Sequence, residues 1–167
     1  MVTIGILESG TGLSTFLADS LPESLRERVD LCPAGCLPRG EKADLLVVSP
    51  DLRWEEDSLP LTCQALLVPG RLSPLAGEMT ASWAVSYGMS PKDSLTLSSL
   101  GEEEMGLVLQ REVVTLSGDC LDCQEFFLPR GDHGSPLYVL ACAGVQLLLG
   151  VPPEEVELGM RDQDTPV

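Results

Sequence analysis

The sequence predicts an α/β domain with an aliphatic, largely parallel sheet, and three observations carry that prediction. Hydrophobic residues make up 44% of the 167 positions but aromatics only 4%. The core must therefore be built from Leu, Val and Ala, the composition of strands buried on both faces. Apolar runs such as Ala43-Asp44-Leu45-Leu46-Val47-Val48-Ser49 have the length of buried strands. The first such run, residues 3–7, passes into Glu8-Ser9-Gly10-Thr11-Gly12 and then into helical spacing, the opening strand–turn–helix unit of a parallel sheet.

The elements follow in order. Leu13, Phe16, Leu17, Leu21 and Leu25 mark one helix over residues 13–25. Residues 26–30 are polar, and residues 32–40 are rich in Pro and Gly, so both read as loop. Residues 43–49 form the second strand, and the charged, turn-rich stretch 50–60 connects it onward. The third strand is residues 65–68, closed by Pro69-Gly70, and the fourth is residues 83–87, closed by Gly88. The character then changes. Residues 94–98, 105–110, 113–116 and 124–128 alternate in polarity, separated by turn chemistry at Gly101-Glu102-Glu103-Glu104 and Ser117-Gly118-Asp119. This predicts a small antiparallel meander with one wet face. Residues 136–149 read as a helix with a broad apolar face and small residues for close packing, and Gly150 supplies its C-cap. A short helix is expected over residues 152–156, with Pro and acid in its first turn. The organisation expected is one α/β domain over residues 1–160 and a polar tail over residues 161–167.

The net charge of −16, from 26 acidic and 10 basic residues, repels phosphate backbones and anionic membrane surfaces. Nucleic acid and membrane are therefore not expected as partners. The charge serves solubility, or meets a basic protein partner. No apolar run approaches the roughly 18 residues of a membrane span. The start, Met1-Val2-Thr3-Ile4-Gly5-Ile6-Leu7, lacks the basic segment of a signal peptide, so a cytoplasmic location is expected. There the six cysteines would be thiols or metal ligands.

The second half carries a resemblance. Val85-Ser86-Tyr87-Gly88-Met89-Ser90-Pro91-Lys92-Asp93-Ser94-Leu95-Thr96-Leu97 is similar to the Mur ligase segment in which a buried strand ends in Thr-Tyr-Gly before the chain enters an antiparallel sheet. Further on come His133-Gly134-Ser135-Pro136-Leu137-Tyr138, Ala141-Cys142-Ala143-Gly144 and Leu147-Leu148-Leu149-Gly150-Val151-Pro152. These resemble the family's His-Asn-x-x-Asn helix, which runs through small residues to a Leu-Gly-Val/Ile-Pro ending and a short acidic helix, as Glu154-Glu155-Val156 does here. The resemblance spans residues 82–158, somewhat under half the chain. It implies the fold of the Mur ligase central domain.

The departures from that pattern bear on function. The family's phosphate-binding loop is of the type G-x-x-x-x-G-K-[ST], in which backbone amides cradle phosphate, Lys reaches the terminal phosphates and the hydroxyl holds magnesium. Its equivalent here is residues 7–14. Gly12 and Ser14 fit, but Leu13 stands for Lys and Leu7 for the first Gly. Leu cannot neutralise charge on a transferred phosphoryl group. The two Asn positions that help hold the base are Gly134 and Leu137, leaving His133 alone. The 167 residues also leave no room for the family's flanking domains. ATP-dependent ligase activity is accordingly expected to be lost, with no cofactor.

Three smaller constellations remain. Gly10-x-Gly12-x-x-Thr15 is half of a dinucleotide fingerprint, and the amides at the following helix start can attract an anion. Ser9, Gly10, Thr11, Gly12, Ser14 and His133 are thus the candidate ligand-binding residues, set against a plain tight turn that needs Gly for its backbone angles. Cys32 and Cys36, with Cys120 and Cys123, have spacings from which a four-thiolate zinc site could be assembled. Ordinary thiols are the alternative, and Cys63 and Cys142 read as packing residues. His133, the single histidine, follows Asp132 before a helix, where a cap or turn role competes with a catalytic one. The function expected is non-catalytic binding, to a protein partner or to a second copy. The alternative is a small-ligand protein, for a phosphate or nucleotide-type molecule, working through the Gly-rich loop at residues 8–14.

Overall fold

The structure, a computed structural model, describes residues 1–37, 41–53, 61–131 and 134–159. Strand β1 (Val2–Leu7) leads through the Gly-rich turn to α1 (Gly12–Ser20) and one further helical turn, α2 (Glu23–Arg26). Then come β2 (Val29–Pro33), a 3-10 turn at Ala34–Cys36, β3 (Ala43–Val48), β4 (Thr62–Pro69), a 3-10 segment at Gly70–Glu78 and β5 (Thr80–Tyr87). The remainder is β6 (Leu95–Leu100), β7 (Glu104–Leu109), β8 (Val113–Val114), β9 (Cys120–Leu121), β10 (Gln124–Pro129), α3 (Pro136–Leu148) and a last 3-10 turn at Pro153–Glu155.

Eight strands make one sheet in the order β10-β7-β6-β5-β4-β3-β1-β2, and β8 pairs with β9 in a separate hairpin. From β2 to β6 every neighbour is parallel, whereas β7 pairs antiparallel with both β6 and β10. The fold is therefore α/β with a mostly parallel central sheet and a small antiparallel one. The strand order 2-1-3-4-5 is that of a doubly wound sheet whose direction of build reverses between β1 and β3.

Burial explains the central strands. Leu45 and Val47 of β3 join Ala65 and Leu67 of β4 in the core under α1 and α3. The alternate residues Leu46, Val48, Leu66 and Val68 lie in a second core with Leu75 and Met79 of the chain between β4 and β5. Strands covered on both faces read as unbroken apolar runs. Helix α3 approaches β4 so closely that a Cβ on Gly144 would sit 2.9 Å from the Leu67 side chain. Past its end, Gly150 takes φ +94°, with its N–H on the Leu147 carbonyl. That is the glycine C-cap the sequence predicts.

Several expectations change. The helix foreseen over 13–25 breaks at Leu21, which is extended (ψ 135°) ahead of Pro22. A residue before proline is pushed out of helical geometry by the ring. Residues 29–33, read as polar and loop, form β2, an edge strand that needs only one buried flank and tolerates its Pro33. The meander does not stand apart. β6 takes up a parallel position beside β5 at Tyr87↔Leu95, and β7 and β10 extend the same sheet. Of residues 113–116 only Val113–Val114 is strand, and it pairs with Cys120–Leu121 across a turn in which Gly118 has φ +95°. Residues 152–156 give a single 3-10 turn. The tail at 161–167 lies outside the described residues. No helix of the described residues is long and apolar enough to cross a membrane.

Candidate functional site

The carboxyl ends of the parallel strands are where open α/β sheets hold ligands, most often at the switch between strands of opposite build direction. Here that switch lies between β1 and β3, joined at their ends by Ser49 N–H to the Leu7 carbonyl (2.9 Å). Of the candidate ligand-binding residues, Ser9, Gly10 and Thr11 lie in the loop after β1, and Gly12 and Ser14 lie in the first turn of α1. His133 lies outside the described residues.

The loop is closed by its own side chains. The free amides at the start of α1 point to Glu8, whose Oε2 accepts Leu13 N–H (3.0 Å) and Ser14 N–H (3.2 Å). A carboxylate at a helix start satisfies orphan donors and meets the positive end of the helix dipole. Ser9 Oγ accepts Arg53 N–H (2.8 Å), and Ser14 Oγ donates to the Thr11 carbonyl (3.2 Å). Gly10 and Gly12 have no positive φ, so the turn does not need glycine for its angles. Gly12 is needed for space, since a Cβ there would lie 2.5 Å from the Tyr138 hydroxyl oxygen. From the first turn of α3, Tyr138 packs its ring near Phe16 (centroids 5.6 Å apart) and donates its hydroxyl to Asp51 Oδ2. That bond, with partial burial, pushes the phenol up to about 12, so it stays a protonated donor near neutrality. Glu8, Asp51 and Tyr138 were not singled out from sequence. The signal for Glu8 was present: an acid placed directly before a Gly-rich turn that feeds a helix.

Tyr87, in the Tyr-Gly pair that carries the resemblance, is fully buried and donates to the Val48 carbonyl (2.5 Å), tying the end of β5 to that of β3 across β4. Gly88, next in sequence, makes room for Asp93. Asp93 is 4% exposed, accepts Ser90 N–H (3.1 Å) and packs against Gly70 and Gly88. An added Cβ at either glycine would fall 2.0 or 2.6 Å from its carboxylate oxygens.

Beside these groups lies an open cleft of ≈ 680 Å³ at the ends of β4, β5 and β7. Arg71, Lys92 and Arg111 line it, and Leu137, where the resemblance would place an asparagine, is at its wall. Sequence reasoning passed over these cations, although Arg71 and Arg111 lie two residues beyond the ends of β4 and β7 and Lys92 lies in the connection between β5 and β6.

The cysteine pairs do not meet. Among the described residues no group of three or more His, Cys, Asp or Glu side chains could hold a metal. All six thiols are free; Cys36, Cys120 and Cys123 are exposed, while Cys63 and Cys142 are buried. Burial raises Cys63 to about 11 and Cys142 to about 12. Comparison with known proteins finds no matching family model, no matching curated protein and no matching solved structure.

Proposed function

We propose that this chain is a binding domain on a Mur-ligase-like frame that has given up phosphoryl chemistry and acts by protein interaction or self-association. The observation that carries the reading is the Glu8 carboxylate on the Leu13 and Ser14 amides. In a phosphate-binding loop those amides would face phosphate. Here an internal anion occupies them, Leu13 offers no charge, and Tyr138 covers Gly12. The element order after Tyr87-Gly88, with antiparallel strands and then α3 ending at Gly150, is the order the resemblance implies.

The protein-partner arm is favoured by Phe127. It is 53% exposed and borders a groove with Glu102, Glu103 and Glu104. An aromatic anchor beside clustered acids suits a basic partner segment. Two measurements test the reading. Phosphate release from magnesium-ATP should stay at the level of buffer, and turnover abolished by Gly12→Val would overturn it. Sedimentation and pull-down with wild type and Phe127→Ser should show an association that the variant weakens. Its absence in both would remove the interaction arm.

A further inference from the structure

Cations are scarce in this chain, ten against 26 acids, and their placement is uneven. Three of the ten, Arg71, Lys92 and Arg111, line the ≈ 680 Å³ cleft at the carboxyl edge. A random share of the chain as large as the cleft lining would carry about one cation and about three acids, so the cleft inverts the sign of the molecule locally. The single acid in the lining is Asp93, and it is buried against Gly70 and Gly88 and engaged by Ser90 N–H.

Among the described residues the hydrogen bonds of the two arginines go to backbone carbonyls and none to a carboxylate. Arg71 gives Nε to the Pro50 carbonyl (3.1 Å) and Nη2 to the Pro50 and Leu52 carbonyls (3.4 Å to the latter). Arg111 gives Nη2 to the Lys92 carbonyl (2.7 Å). Carbonyls orient a guanidinium without cancelling its charge, and each fork keeps further N–H donors for a ligand. The Lys92 ammonium makes no hydrogen bond among the described residues. The cleft volume lies within the range of about 300–1,000 Å³ typical of small-molecule sites. Its wall also offers Met89, Ala84 and Leu137 to an uncharged body.

We infer that this cleft binds a small organic phosphate, with the anionic group held by Arg71, Lys92 and Arg111 and the organic part against Met89 and Leu137. Guanidinium forks match the geometry and charge of phosphate. The site is distinct from the Gly-rich loop, and it stands whether or not the chain is related to the Mur ligases.

The test is calorimetric titration of the full chain with phenyl phosphate, inorganic phosphate, pyrophosphate and succinate. Saturable one-site binding is expected for the phosphates, and phenyl phosphate should bind more tightly than inorganic phosphate. Lys92→Glu, which removes no protein hydrogen bond, should weaken binding by at least about tenfold, a loss of one charge-assisted contact. Arg111→Glu should act likewise, with folding checked by circular dichroism. Arg28→Glu, at the amino edge of the sheet, should leave binding unchanged. The inference is overturned if the phosphates do not saturate, if succinate alone binds, or if Arg28→Glu costs as much as Lys92→Glu. It is equally overturned if Lys92→Glu has no effect, as would follow were the phosphate held at the Gly-rich loop.

Discussion

Replacing Glu8 by Ala removes the acceptor of two amide hydrogen bonds, at 3.0 and 3.2 Å, from the first turn of α1. Glu8 is partly buried, so water replaces it imperfectly. Loss of an N-cap acceptor costs about 0.5–2 kcal/mol, and loss of an anion at the helix start costs a further 0.3–1 kcal/mol or so. The two overlap, and about 1–2 kcal/mol is the expected sum. For a chain of this length that lowers the melting temperature by roughly 2–8 °C. Glu8→Gln keeps a neutral acceptor and should lose about half as much or less. Differential scanning calorimetry of the three proteins at neutral pH, with and without sulfate, measures this. Sulfate should recover more stability in Glu8→Ala than in wild type, because the variant exposes the vacated amides. A Glu8→Ala protein as stable as wild type, or one that sulfate affects no differently, would show that the Glu8 carboxylate does not stabilise the start of α1.

Other outcomes follow from the packing. Gly144→Val should destabilise by about 1–3 kcal/mol in urea unfolding, since its Cβ starts 2.9 Å from Leu67 in a close-packed layer. Gln146, fully buried, pairs with both backbone groups of Glu157 (2.6 and 3.2 Å), so Gln146→Leu should cost about 1–3 kcal/mol and loosen hydrogen exchange at residues 153–159. A thiol reagent should modify Cys36, Cys120 and Cys123 quickly in the native protein, and Cys63 and Cys142 only on unfolding. Because both buried thiols sit above the ordinary value of 9.0, the folded state holds protons that the unfolded state releases. Their contribution is complete below pH 9 and falls as pH rises from there toward 11 and 12, so stability should decline over that window. The Cys63→Ala/Cys142→Ala protein should show a shallower decline.

The parts of this fold that were legible in sequence are those governed by local pattern. The apolar run of β3, the Pro69-Gly70 and Gly88 strand ends and the Gly150 cap each act over a few residues. What was not legible depends on distant partners. The order Val29-Asp30-Leu31-Cys32-Pro33 becomes a strand because β1 offers it a free edge, and nothing within those five residues says so. Leu95 to Leu100 alternates like an antiparallel strand, yet its first neighbour is the parallel β5. At the loop after β1, the sequence reading expected the amides to be available, and Glu8 takes those of Leu13 and Ser14. The sequence could not tell that Tyr138, more than a hundred residues on, would stand over Gly12. The thiol pairs show the converse: suggestive spacing, but no meeting place, because β2 and β9 are held in different sheets.

In the function proposed above, the Glu8 carboxylate fills the place that a nucleotide phosphate would take at the Leu13 and Ser14 amides. The most direct measurement is an amide-resonance titration of the isotope-labelled protein with magnesium-ATP, following the Leu13 and Ser14 N–H signals. With Glu8 on both amides, these two signals should not move in wild type at millimolar nucleotide. Saturable shifts of both, with Glu8 intact, would contradict this.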